Sequence, residues 1–189
     1  MCGYFCDNLA GGPAGARFLA RQVRYFSEAD KAPPHLHDLG DLNVFPLEPA
    51  KHSSAIEEQV SLIVGKGACP LIVGGDQSAA EILANQLSNE PMYRLSLNSN
   101  SPTPKSGAVV GIDLSAFLSA DRSSKFQQSE LFLETILSAI RALPTSLAGG
   151  AVFGLAPALD WNGSAETRLA CRLTFALAEK LLEARSADT

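Results

Sequence analysis

Leu71-Ile-Val-Gly-Gly-Asp-Gln-Ser78 is the stretch on which the fold turns. Together with Pro70, the residues Leu71 to Val73 make a continuous apolar run, as expected of a strand buried on both faces of a parallel sheet. Gly74 and Gly75 permit positive φ and close backbone approach, while Asp76 and Ser78 are residue types that cap a following helix. Ile82, Leu83 and Leu87 supply the apolar face of that helix. Strand, glycine turn and helix in this order form one unit of an α/β sheet, and a capped turn explains the motif without any chemistry.

The same order extends in both directions. Upstream, the apolar run Gly3 to Cys6 predicts a strand, and Asn8, Gly11, Gly12, Pro13 and Gly15 predict the loop that ends it. From Ala16 the residues Phe18, Leu19, Val23 and Phe26 recur at helical spacing, interleaved with Arg17, Arg21 and Arg24. His37 to Leu42 suits a brief strand or a loop entering one, between Pro33, Pro34 and Pro46. Ser53 opens a helix through Ile56, Val60, Ile63 and Val64, with Glu57 and Glu58 in its first turn and Gly65 and Gly67 as stop signals. Downstream, strands are expected at Tyr93 to Leu97, Ala108 to Leu114 and Ala151 to Leu155, and helices at Phe126 to Leu143 and Ala165 to Arg185. The alternation predicts a three-layer α/β architecture, an open and mostly parallel sheet with helices on both faces. Ligands of such sheets lie beyond the carboxyl ends of the strands, so the loops after residues 6, 73, 97, 113 and 155 should share one rim.

Composition narrows the function classes. At 189 residues the chain is expected to fold as a single domain spanning 1–189. An apolar share of 46% and a charged share of 19% are those of an ordinary globular protein. The net charge is -5 and the basic residues are scattered, which argues against a nucleic-acid partner. No run reaches the roughly 18 apolar residues that a spanning helix needs, and the N-terminus lacks a basic region followed by an apolar one. No membrane association and a cytoplasmic location are expected. Cys2, Cys6, Cys69 and Cys171 are too dispersed for a disulfide scaffold and read as small buried thiols. Cys6, placed at a strand end, lacks the partner histidine that a nucleophilic thiolate needs, and carboxylates nearby would oppose its ionisation. His35, His37 and His52 lie early in a proline-bearing stretch, and too few ligands converge on them to make a metal site.

The motif at 71–78 resembles the Gly-Gly-Asp-His-Ser segment of the ureohydrolase family of arginases, agmatinases and formimidoylglutamases, in which the histidine is a manganese ligand. Further matches follow in the family's order. Gly12-Pro-Ala-Gly-Ala-Arg-Phe18 with Arg21 and Arg24 is similar to the N-terminal loop and helix, and His37-Asp-Leu-Gly-Asp41 to the Asp-x-Gly-Asp segment. Val110-Gly-Ile-Asp-Leu114 resembles the strand bearing the Ser-x-Asp-x-Asp metal motif. Val152-Phe-Gly-Leu-Ala-Pro-Ala-Leu-Asp160 and the helix from Ala165 resemble the Glu-x-Asn-Pro segment and the terminal helix. The resemblance implies an arginase-like fold, here truncated. Only residues 103–107 separate Pro102 from the strand at Ala108, where the family places a long catalytic section with further strands and a substrate-binding loop.

Carried over residue by residue, the family's chemistry does not survive. Gln77 replaces the histidine ligand. The Asp-Ala-His-x-Asp motif, which supplies three ligands, falls on Asn98-Ser-Asn-Ser-Pro102. Asp113 matches the first aspartate of the later motif, but Ser115 stands at the second, and the glutamate that grips the guanidinium falls on Gly154. Two closely spaced cations need several anionic or imidazole ligands, and each lost ligand or supporting partner lowers affinity or activity roughly 10–100-fold. No catalytic residue, metal or cofactor is therefore assigned. What remains is a polar rim of Asn8, Asp76, Gln77, Asn98, Asn100, Asp113 and Ser115.

These residues lead to the expectation of an inactive arginase-like pseudoenzyme, acting through protein contacts as a regulatory or scaffolding subunit in a homo-oligomer or a complex with another protein. Two alternatives stay open. The rim could hold a guanidino or polyamine-like small molecule without metal, or Asp76 and Asp113 could serve a divergent hydrolase with one hard cation such as magnesium.

Overall fold

The computed structural model describes residues 2–7, 33, 35–42, 45, 48–74, 77–95, 103–114, 125–154 and 165–186. The described strands are β1 (Cys2–Asp7), β2 (Leu36–Asp41), β3 (Cys69–Gly74), β4 (Tyr93–Leu95), β5 (Val109–Asp113) and β6 (Gly149–Phe153). The described helices are α1 (Pro49–Gly65), α2 (Ser78–Leu87), α3 (Lys125–Arg141) and α4 (Ala165–Ser186). The expected helix from Ala16 lies outside the described residues.

The six strands form one sheet in the order β2-β1-β3-β6-β5-β4. Every pairing between neighbours is parallel. The chain starts at β1, steps outward to β2, returns past β1 to β3, crosses to the far edge at β4, and works back inward through β5 to β6. The connections after β1 and β3 therefore diverge, and the crevice between two such neighbours is where open α/β sheets take their ligands. Asp7 pairs with Gly74 at that point.

Burial on both faces explains the apolar runs. All six residues of β3 and all five of β6 are buried. Successive strand side chains point to opposite faces. Leu71 and Val73 of β3, Val110 and Ile112 of β5, and Val152 of β6 pack with Ile136 and Ile140 of α3 and Leu173, Leu177 and Leu181 of α4. On the other face, Ile72, Val109, Ala151 and Phe153 pack with Ile56, Val60 and Ile63 of α1 and Leu83 of α2. Among the described residues the layers are a helix pair, the sheet and a second helix pair. Gly150 lets α4 approach: a Cβ built there would lie 2.9 Å from Cδ2 of Leu177 and 3.1 Å from Cδ1 of Leu181.

Two local expectations are corrected. α1 begins at Pro49, a full turn before Ser53, so Glu57 and Glu58 sit in mid-helix and not in its first turn. Proline is favoured at a first helical position because the missing N–H would have had no partner there. At α2 the capping position is held by Gln77, whose side chain makes no cap bond, and Ser78 is already helical. Among the described residues no helix is long and apolar enough to cross a membrane.

Candidate functional site

Because the strands are all parallel, their carboxyl ends form a single rim, marked by Asp7, Asp41, Gly74, Asp113 and Phe153. Of the seven rim residues expected from sequence, the described residues include Gln77 and Asp113. Asn8, Asp76, Asn98, Asn100 and Ser115 lie outside them.

Asp113 is the last residue of β5, in register with Phe153 at the end of β6. Leu114 N–H donates to the Phe153 carbonyl at 2.7 Å and fixes the two strand ends together. Since Ile112 and Leu114 pack on the α3/α4 side, alternation turns Asp113 toward the α1/α2 side, where it is half-buried. β5 is two strands removed from β3, so Asp113 stands about 10 Å across the sheet from the end of β3.

Gln77 follows β3 and immediately precedes α2. Its side-chain amide is turned along the first turn of the helix, where Nε2 donates to Oε1 of Glu81. The same Glu81 oxygen faces Nη2 of Arg94, on edge strand β4, at 3.6 Å. Glu81 and Arg94 were missed by sequence reasoning. Glu81 carried a signal, since it stands four residues after Gln77, the spacing at which helical side chains meet. Arg94 carried none, because its approach depends on β4 forming the sheet edge.

Gly154 follows β6 with φ +82. An L side chain in that left-handed region is strained, so the backbone here is suited to glycine, at the position that the family resemblance matches to a glutamate. Asp7 was also missed: the strand expected to end at Cys6 runs one residue further, placing Asp7 at the crevice beside Gly74 by register.

The other candidates are dispersed. His35, in a turn with φ 72, and His37 of β2 are exposed, whereas His52 of α1 is buried. Cys69 and Cys171 are buried in the α3/α4 core, with the Cys69 thiol donating to the Ala148 carbonyl at 3.3 Å. Cys2 and Cys6 lie in β1. Among the described residues no three His, Cys, Asp or Glu side chains come together as a metal-holding group.

Residues 2–92 match the model of the arginase family. That stretch is just under half of the chain, and over it the sequence is similar to the arginase family. Solved arginase-family structures extend the match over nearly the whole chain. Proclavaminate amidino hydrolase from Streptomyces clavuligerus superposes with a TM-score of 0.67 at 16% identity, covering 97% of this chain and 92% of that one. Arginase from Medicago truncatula gives 0.69 at 12% identity, covering 95% and 86%. A manganese-containing formiminoglutamase from Trypanosoma cruzi gives 0.63 at 11% identity, covering 95% and 93%. At such identities the superpositions establish a common arginase fold and nothing finer. No curated protein matches the chain.

The three described positions carried over from the family's site, Gln77, Asp113 and Gly154, do not by themselves fit a pair of manganese ions. Manganese is a hard-to-borderline cation that prefers carboxylate, water and imidazole donors. Gln77 offers a neutral amide oxygen, a weak ligand, while its nitrogen donates to Glu81; Gly154 offers no side chain, and Asp113 is the one carboxylate at the three described positions carried over from the family's site.

Proposed function

We propose that this chain is a catalytically inactive arginase-like pseudoenzyme that works through protein contacts, as a regulatory or scaffolding subunit in a homo-oligomer or beside another protein. The observation that carries the reading is the pairing of Gln77 with Glu81. The position matching a manganese ligand bears an amide and directs it to its own helix. Among the three described positions carried over from the family's site, Asp113 supplies one carboxylate, too little to offset the charge of two adjacent divalent ions, and a hydrolase of this type needs both to hold and activate hydroxide. Gly154, at the position that the resemblance matches to the guanidinium-gripping glutamate, carries no anion itself. The sheet and the described helices on both its faces retain packed cores, which supports a folded body able to present a contact surface.

The test is urea release from arginine and agmatine, with manganese supplied, alongside the effect of this chain on an active ureohydrolase. The expected result is no urea above the blank and a change in the activity or assembly of the partner enzyme. Urea formation that scales with this protein and disappears in Asp113→Asn contradicts the reading. A melting temperature raised by agmatine or a polyamine, through mass action on the folded state, would favour a binding role instead.

A further inference from the structure

Away from the rim, α3 and α4 enclose a groove of about 840 Å³ on the side of their layer turned from the sheet. Half-buried Leu137 and Phe175 give it an apolar lining, and exposed Arg172, Glu179 and Glu183 stand around it. Lys180 also lines it and is only 8% exposed. Its ammonium donates to Oε2 of Glu183 at 3.0 Å and to the carbonyl of Arg141, the last residue of α3, at 3.4 Å. That cation is thus already neutralised at a helix end rich in carbonyl oxygens, which makes the groove a poor site for a simple anion. Its wall carries both signs and suits a surface that does the same.

The α4 part of the wall, Arg172, Phe175, Ala176, Glu179, Lys180 and Glu183, follows steps of three residues, with Phe175 and Ala176 adjacent and Glu179 and Lys180 adjacent, and so runs along one side of the helix. Charge is positive at the N-terminal end of this stripe and negative at the C-terminal end. Laid antiparallel on a second copy, the stripe matches itself. Arg172 meets Glu183, Phe175 meets Lys180 and Ala176 meets Glu179, all three pairs centred on the same point between Leu177 and Ala178. Each match occurs twice, as a two-fold contact requires.

We propose that this groove is a self-association surface on which α4 of one copy packs antiparallel against α4 of a second. The inference rests on the reading of the chain as one that acts by contact, and names a second copy as the partner. A two-helix stripe buries less than a standard interface of about 1,600 Å², so the dimer forms reversibly and weakens with salt.

Sedimentation velocity of the full chain over a concentration series tests it, with Arg172→Glu and Glu183→Arg as variants and circular dichroism confirming their fold. The wild type should shift from monomer to dimer, each variant alone should stay monomeric, and an equimolar mixture of the two should regain the dimer. Mixing restores it because the carboxylate placed at 172 faces the guanidinium placed at 183, while native Arg172 and Glu183 meet at the other end. A wild type that is monomeric throughout, or a mixture that fails to associate, overturns the proposal. A dimer indifferent to both substitutions overturns this surface and leaves the contact-based function standing. Urea release by the wild type would instead remove that function, with the mixing result still deciding the surface.

Discussion

The interior of the sheet and the rim at its carboxyl ends belong to the same strands, yet they answer to different constraints. In β3 and β6 every residue is buried, and each side chain contributes volume to one of two cores. At the rim, Gln77 and Gly154 stand where the family resemblance expects an imidazole and a carboxylate, and of these three carried-over positions Asp113 keeps an anion. Packing asks only that a residue be apolar and of suitable size, so a fold persists through wide sequence change. Metal chemistry asks for particular atoms, and one neutral substitution removes a ligand outright. A site can therefore be dismantled while the architecture that carried it stays intact.

Substitutions on the two sides of this divide should behave differently. The largest effect is expected at Leu177, fully buried between α4 and the sheet: Leu177→Ala should lower unfolding free energy by about 2–5 kcal/mol, read from a shifted denaturant midpoint at unchanged slope. Gly150→Ala comes next, at about 1–3 kcal/mol, because its methyl would press on Leu177 and Leu181. Equal stability in that variant would show that α4 can back away from β6, and that the interior is looser than its contacts imply.

At the rim, Gly154→Glu restores the family's carboxylate but places a side chain at φ +82. The expected cost is about 1–2 kcal/mol, and urea release should remain absent with manganese present, because one added anion does not rebuild a ligand shell. Activity in that variant would erase the distinction drawn here. Gln77→Ala should be the mildest change, less than about 0.5 kcal/mol, since it removes one exposed hydrogen bond to Glu81. A clearly larger loss would assign the Gln77, Glu81 and Arg94 chain a part in holding β4 to α2.

Much of the interior was legible in the sequence. The apolar run at 70–73 and the helical spacing through Ile82, Leu83 and Leu87 match β3 and α2, and the boundaries of α3 and α4 fall within two residues of expectation. These elements are written in local periodicity. The start of α1 was misplaced because Ser53 and Pro49 are both start signals, and spacing alone does not rank them. Strand order was not legible, since the return of β5 and β6 to the centre rests on pairings distant in the chain. At the rim, residue identities were readable at once, but their geometry was not. The positive φ of Gly154 is a backbone fact, and the hold of Arg94 on Glu81 requires the folded edge.

The most direct test of the central claim is native mass spectrometry of the purified chain with and without added manganese. A mass equal to the polypeptide alone under both conditions, in whatever oligomer forms, is the predicted result. Two manganese ions retained per chain would contradict the account and return the rim to catalysis, with Asp113 the first residue to change.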